Sequence, residues 1–479
     1  MSTFDPFLQP VLLSRDPRIS PYLDRLADFR QWVLTDVDAQ ANHTDRYAPP
    51  ALQTYDRDGN VINRIVTNPT YDAQHQEAYR RGIIGLPYSE GAPHLVSFAM
   101  GFLLSQADIS LHCPVTLTGA VAYVLGYHAD VNLRTQYLHE VTRMDGQTKT
   151  GGTWATEKHG GSDVGATTTI AKRSGDQFTL HGLKWFTSNA NSGLAIATAR
   201  PEGAEPGSAG LGLYLAPSHL ADGKPNNYVI RRLKDKLGTK GLPTGEIDLL
   251  GAEGVEIAGP PRGFKLMMEA LEYSRIHNAV GAAGVQRRAL TEALHWCRTR
   301  EAFGKPIIEY PMVQDELLLM LVQFHAGSLL AFEAALAFDK ALADPSQRVW
   351  LRFVTALAKY LTAEYAIRSC RAALELIGGN GYTSDYPIAR IYRDAQVLTV
   401  WEGPANIQAL ELMRLLAPKY GAAAEYERRI REMRVSAQLS SLVELRLKED
   451  LAAIVVATRD TETISRYARR PLHRLAESL

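Results

Sequence analysis

Glu402 lies between Trp401 and the pair Gly403-Pro404, in the segment IYRDAQVLTVWEGPANIQAL at 391–410. An acid beside an indole, at the mouth of a helix, is suited to act as a general base with a tuned pKa. The same residues also read as a solvated turn glutamate ahead of a Pro-initiated helix. Four other stretches offer chemistry. TEKHGGSDV at 156–164 is a polar, Gly-rich loop whose backbone N–H groups and Thr156 and Ser162 hydroxyls suit an acceptor-rich ligand. It equally fits a plain surface loop. LKWFTSN at 183–189 places the aromatic pair Trp185-Phe186 among hydroxyls. That pair could wall a planar cofactor with Thr187 hydrogen-bonded to it, or form a strand with a core Trp. RTREAFGKPI at 298–307 puts Arg300 where it could pair with a phosphate. Basic residues closing a helix and complementing its dipole give the same pattern. LELIGGNGYTSDYP at 374–387 carries Gly378-Gly379, which lets a ligand approach bare backbone or simply stops a helix. No strand precedes it, so it is not a dinucleotide fingerprint.

The elements that must position these groups follow from composition and pattern. The chain has 479 residues, 46% hydrophobic and 22% charged, which is ordinary globular composition. Lys+Arg and Asp+Glu are 52 each, so no global basic field points to nucleic acid. Three widely spaced cysteines with no metal-ligand spacing fit reduced thiols in a cytoplasmic protein. The N-terminus lacks a basic region followed by an apolar core, and no apolar run approaches about 18 residues, which argues against a signal peptide and a membrane span. Prolines interrupt the first 70 residues, with VINRIV after Asp58-Gly59 as a short strand. From about 70 to 142 the apolar spacing is helical, with VTLTGAVAYVLGYHAD bounded by Pro114. Short β-branched runs between glycines fill 151–260, which predicts a small β-barrel or sandwich and no Rossmann domain. Long amphipathic patterns return at 261–420 and predict a four-helix bundle, the last helix following Pro404. Residues 421–479 read as a helical extension. The order is an N-terminal helical domain (1–150), a central β-barrel domain, a bundle and a tail.

TEKHGGSDV, KWFTSN, EYSR, REAFGKPI, LIGGNGY, YRDA and WEGPANIQ, in this order over about 155–410, closely resemble the acyl-CoA dehydrogenase family of flavoproteins. YAPPALQTYDRDGN, HCPVTLT, RRLKDKLGTKG and the Asn-Ile after WEG look like its AidB-like, adaptive-response branch. The resemblance implies FAD between the barrel and the bundle, Thr156 and Thr187 meeting the flavin ring, and Trp185 beside it. Ser162 matches a serine that meets the pyrophosphate or the acyl chain, and Arg300 and Phe303 match residues that reach a neighbouring subunit's FAD. Gly378 and Gly379 match glycines that let the adenosine pass. It further implies at least a dimer, commonly a dimer of dimers, and an electron-transfer flavoprotein as acceptor.

Glu402 takes the catalytic-base position of the family, abstracting a proton from Cα of an acyl-CoA thioester while hydride leaves Cβ for the flavin. Some members carry the base just before the arginine matched by Arg275, which belongs to the substrate side of the site. Here that place is Ser274, so the base cannot be there. Related nitroalkane oxidases use aspartate at the Glu402 position, so glutamate favours dehydrogenation. Three departures bear on the FAD adenosine end: Pro311 and Glu375 stand where the family has glutamine, and Pro404 where it has a hydroxyl. Two alternatives remain at this level. One is a flavoprotein that binds and protects DNA through its Arg-containing tail, which also reads as a solvated helix of mixed charge. The other is an acyl-CoA oxidase using oxygen.

Overall fold

The structure is a computed structural model. It describes residues 4–175 and 177–437, together with 449, 452, 473, 475 and 476. The chain divides into two compact units, Tyr22–Ser274 and Met1–Pro21 with Arg275–Leu479. Helix α1 (Leu8–Arg15) opens the second of these. The first begins with α2 (Leu23–Trp32), α3 (Asp38–Tyr47) and the hairpin β1 (Ala51–Tyr55) and β2 (Val61–Val66). Gly59, at φ +85°, makes the predicted turn of that hairpin. Helices α4 (Pro69–Arg80), α5 (Leu86–Ser89), α6 (His94–Leu104), α7 (Ile109–Tyr127) and α8 (Val131–Thr142) follow.

Helix α7 departs from the sequence reading at Pro114. The proline does not bound the helix; it lies inside it. A mid-helix proline cannot donate to the carbonyl four residues back. That carbonyl belongs to Ser110, and the Tyr71 hydroxyl donates to it at 2.9 Å. Asp108 caps the start by accepting from the Ser110 N–H at 2.7 Å. Among the described residues, two helices could cross a membrane by length and composition, α7 and Pro311–Ala343. Helix α7 is instead a core helix of its unit, buried along nearly all its length.

Seven strands complete this unit: β3 (Gly151–Trp154), β4 (Ile170–Ser174), β5 (Gln177–Ser188), β6 (Leu194–Pro201), β7 (Gly212–Pro217), β8 (Tyr228–Leu233) and β9 (Thr244–Ala258). They form a mixed sheet ordered β3-β6-β4-β5-β9-β7, with β8 on β9. Strands β3 and β4 each pair with β6 in parallel, because the chain re-enters the sheet beside them in the same sense. β6 also pairs with β7, so the pairings run β4–β5–β9–β7–β6 and return to β4. Trp154, Leu180, Tyr214 and Ile247 are fully buried at its core, each contributing about 1.5–3 kcal/mol.

The bundle unit is built on α9 (Arg262–Thr299), within which the division between units falls. A hairpin of β10 (Glu301–Ala302) and β11 (Lys305–Pro306) leads to α10 (Pro311–Ala343) and α11 (Arg348–Ile377). Then come α12 (Pro387–Leu398), α13 (Ala405–Leu416) and α14 (Ala422–Ala437). Helix α12 is additional to the predicted four; its short amphipathic run was hidden between a glycine turn and the Trp401 segment. The first 21 residues group with this unit. Phe7 packs tilted against Phe324, their ring centroids 4.7 Å apart, and Asp5 pairs with Arg287. In α14, Arg428 pairs with Glu425 and Glu432, and Arg429 with Glu425 and Glu333. The pairs with Glu425 and Glu432 lie one turn apart within the helix, whereas Arg429–Glu333 ties α14 to α10 with both side chains largely buried. Arg466, Arg469, Arg470 and Arg474, the rest of the proposed DNA-binding tail, lie outside the described residues.

Candidate active site

Glu402 sits in the turn joining α12 to α13. Its φ is +57° and that of Gly403 +96°. A glutamate in the left-handed region carries a strain of roughly 1 kcal/mol, so the surroundings must hold it. They do so through the main chain. Arg275 Nε on α9 donates to the Glu402 carbonyl at 2.9 Å. The buried amide of Gln408, one turn into α13, donates to the carbonyls of Glu402 (3.2 Å) and Gly403 (3.0 Å). Asn278, also on α9, fixes both sides of the approach. Its amide donates to the Leu398 carbonyl at 3.0 Å, and its oxygen accepts the Trp401 indole N–H at 3.1 Å.

The carboxyl is held differently. The residue as a whole is half-buried, but Oε2 is enclosed and, among the described residues, nothing hydrogen-bonds to it. Burial pushes the Glu402 carboxyl up to about 7, against the opposing pull of Arg275 and Lys359. An acid that ionises near neutrality, buried and lacking a partner, is suited to take a proton from a bound molecule. Ser274 is fully buried, and its hydroxyl donates to the Ala270 carbonyl at 3.2 Å. It offers no base, as its residue type predicted.

In the sheet unit, Thr156 and Trp185 are brought together: the Trp185 N–H donates to the Thr156 carbonyl at 2.9 Å. The residues between their motifs form a buried ion pair. Glu157 Oε1 lies 3.0 Å from Lys184 Nζ, and both side chains are essentially inaccessible. The Glu157 carboxylate also accepts from the N–H and hydroxyl of Thr168 and of Thr169. Lys184 donates further to the Thr198 carbonyl at 2.7 Å. Gly161 leaves room for the Thr156 hydroxyl; a Cβ there would lie 2.6 Å from it. Ser162 is exposed beyond it.

Thr187 is engaged within the sheet. Its side chain is 1% exposed and donates to the Gly245 carbonyl on β9 at 2.8 Å. The alternation of β5 turns that hydroxyl into the sheet. Phe186, 55% exposed, and the half-buried Ser188 present the other face. Trp185 is half-buried, and the Lys234 ammonium sits 3.5 Å from its ring centroid. The same ammonium lies 4.8 Å from the Phe186 ring centroid.

The remaining predicted residues lie in the bundle unit. Phe303 (φ +52°) and Gly304 (φ +86°) form the tip of the β10–β11 turn, and Phe303 is 97% exposed. Arg300, just before it, is exposed as well. Gly378 ends α11 at φ +74°, and a Cβ on Gly378 or Gly379 would meet nothing within 4 Å. Trp296 packs edge-on against Tyr386, their rings 5.7 Å apart, so the end of α9 adjoins this glycine turn.

Comparison with known proteins gives the site its context. The chain is 30% identical over 449 residues to acyl-CoA dehydrogenase family member 11 of Caenorhabditis elegans, spanning 90% of this chain and 72% of that protein. The chain belongs to the acyl-CoA dehydrogenase family. Residues 152–251 match the acyl-CoA dehydrogenase middle domain and 261–417 its C-terminal domain. Residues 5–145 match the adaptive response protein AidB N-terminal domain. AidB of Escherichia coli is 29% identical over 411 residues, 83% of this chain and 75% of AidB. The crystal structure of C. elegans ACDH-11 in complex with C11-CoA superposes with a TM-score of 0.90. It is 26% identical and covers 99% of this chain and 86% of that one.

Acyl-CoA dehydrogenase family proteins are FAD-binding flavoproteins, and this chain's residues fit such a group. In the bundle unit the space above Gly378 and Gly379 is open to a ligand, and Glu402 Oε2 has no hydrogen-bond partner among the described residues; in the sheet unit Phe186 is 55% exposed. Around Glu402, sequence reasoning missed Asn278, Lys359 and Gln408. Gln408 closes the WEGPANIQ motif, four residues after Pro404, and could have been read as a cap. A lysine in the apolar run VTALAKYL was the available signal for Lys359. Nothing local pointed to Asn278.

Proposed function

We propose that this protein is an FAD-dependent acyl-CoA dehydrogenase that oxidises a thioester between Cα and Cβ, with Glu402 as base. The observation that carries the reading is the enclosed Glu402 carboxyl, raised to about 7 and fixed through its own main chain. Arg275 and Gln408 hold the backbone, leaving the side chain to reach Cα and take its proton. The Glu402 N–H serves the thioester carbonyl, stabilising charge that develops there. FAD, when bound, accepts the hydride that leaves Cβ. In the sheet unit, Thr156, Ser162, Phe186 and Ser188 support flavin binding, with the closed circuit of strand pairings read as the family β-barrel. In the bundle unit, Arg300, Phe303, Gly378 and Gly379 do so. The acceptor we assign is an electron-transfer flavoprotein. Anaerobic mixing with a panel of acyl-CoAs tests the reading: bleaching of the flavin by at least one is expected, and none by any would sink it.

The pH dependence follows from Glu402. The carboxylate is the active form, so proton abstraction should rise with pH, bend near 7 and stay level above. Exchange of the Cα proton in heavy water measures it without an acceptor. A limb below pH 5 would show that another group is the base.

Phe303 supports the further proposal of a homo-oligomer. A ring that is 97% exposed contributes nothing to its own fold. Leu318 (58%) and Val322 (56%), one turn apart on α10, and Met312 (86%) in its first turn are exposed apolar residues. Changing Phe303 and Leu318 together to serine is expected to lower the mass measured by light scattering and to weaken flavin retention. Unchanged mass and flavin content would count against the assignment.

A further inference from the structure

We infer that Lys234 is the positioning residue for the aromatic pair Trp185-Phe186: its ammonium, anchored by Glu246, fixes both rings as a preformed platform for a planar aromatic ligand. RRLKDKLGTKG at 231–241 is a motif to which the proposed function gives no task. Its Lys234 lies just past the end of β8, and the Lys234 N–H donates to the Thr244 carbonyl at 2.8 Å. Strand β9 runs between β8 and β5, so that Gly245 pairs with Leu233 on one side and with Thr187 on the other. Next to Gly245 the β5–β9 register slips. Lys184 pairs with Ile247 and Thr187 with Gly245, which leaves Trp185 and Phe186 opposite the single residue Glu246. Two residues against one make a β-bulge, which breaks the alternation of side chains and re-aims them. The cation reveals the result. The Lys234 ammonium lies 3.5 Å from the Trp185 ring centroid and 4.8 Å from that of Phe186. A regular strand would point these consecutive residues to opposite faces.

The ammonium is itself held. It pairs with the Glu246 carboxylate, and the Lys234 and Glu246 side chains are only 11% and 5% exposed. Arg232, opposite Glu246 on β8, pairs with the same carboxylate at 2.7 Å. Arg232 shares the anion and, among the described residues, contacts neither ring. A cation largely removed from water is drawn to the π face of an indole. The Trp185 main chain is already fixed by its N–H bond to the Thr156 carbonyl. Lys234 fixes the ring. Rings ordered before a ligand arrives need not be ordered by it, and binding is tighter by that amount.

The inference rests on the flavin reading for the identity of the ligand, so the test has two arms. The first needs no ligand. Fluorine-labelled tryptophan is incorporated into protein stripped of flavin, and the one resonance of six that is absent from W185F reports Trp185. K234M is expected to move this resonance toward its position in the unfolded chain. K234R, which keeps a cation able to stack on the rings, should restore it. R232M, which removes the other cation from Glu246, should leave it in place. In the second arm FAD is titrated into the same proteins. K234M should raise the dissociation constant about 3- to 10-fold, while K234R and R232M stay within about twofold of wild type. A Trp185 resonance unmoved in K234M, or displaced equally in K234M and in either arginine variant, overturns the inference. So does FAD binding of equal affinity in K234M and wild type. Where K234M does not fold, K234Q replaces it with the same expected order. If the resonance follows Lys234 but even wild type takes up no FAD, the flavin reading falls and the positioning of Trp185 by Lys234 stands.

Discussion

Replacing Glu402 with glutamine is expected to slow proton abstraction between about 10²- and 10⁴-fold while leaving flavin content and thioester binding near wild type. Glutamine keeps the size and the backbone contacts with Arg275 and Gln408, and removes only the proton-accepting group. The same change carries a stability signature of opposite sign. The folded carboxyl ionises near 7, above its ordinary 4.5. The folded state therefore binds that proton more tightly than the unfolded chain. Stability falls as pH rises from about 4.5 through 7, because ionised Glu402 is tolerated less well inside than in water. E402Q removes this loss. Above pH 7 it should exceed wild type by on the order of 2 kcal/mol in denaturant unfolding. Full activity in E402Q, or a variant less stable at pH 8, would contradict the placement of Glu402. The paired outcome separates a catalytic acid from a merely structural one, whose removal would cost stability.

The second large effect belongs to the buried ion pair of the sheet unit. Changing Lys184 to methionine should destabilise the protein by about 3–5 kcal/mol, read as a lower thermal midpoint. The cost arises because Glu157 stays behind, enclosed and charged. Burial pushes its carboxyl up, but Lys184 and the Thr168 and Thr169 donors outweigh this and hold it near 2. Without the ammonium, those donors alone face the desolvation cost. The double change E157Q with K184M leaves no buried charge and should recover part of the loss. A double variant less stable than K184M alone would argue against this account. The pair also tethers Thr156 to Trp185, whose backbone bond lies between their motifs. K184M should therefore release flavin more readily than wild type at temperatures where it remains folded.

Much of this arrangement was legible in the chain itself. Helical spacing in α9, α10 and α11, and the β-branched runs at 151–260, are local patterns with a period that survives any packing. The turn at Glu402 was legible too, since Gly403-Pro404 leads directly into α13, with Pro404 as its N-cap residue. Ser274 settled the absence of a rival base by residue type alone. Strand phase was not legible in the same way. KWFTSN places hydroxyls on both faces of β5, and only the pairing of Thr187 with Gly245 decides which one turns inward. Pro114 misled for a related reason. A helix can run through a proline when a distant group, here the Tyr71 hydroxyl, satisfies the freed carbonyl.

The sequence by itself determined the order of elements, the family motifs and which carboxylate is the candidate base. These depend on residue type and near-neighbour spacing. What only the tertiary structure decided is the state of that acid. Arg275 and Asn278 reach the Glu402 turn from more than 100 residues away. Whether a carboxyl is solvated or enclosed depends on which helices close over it. That information resides in packing, because desolvation and charge act through space and not along the chain.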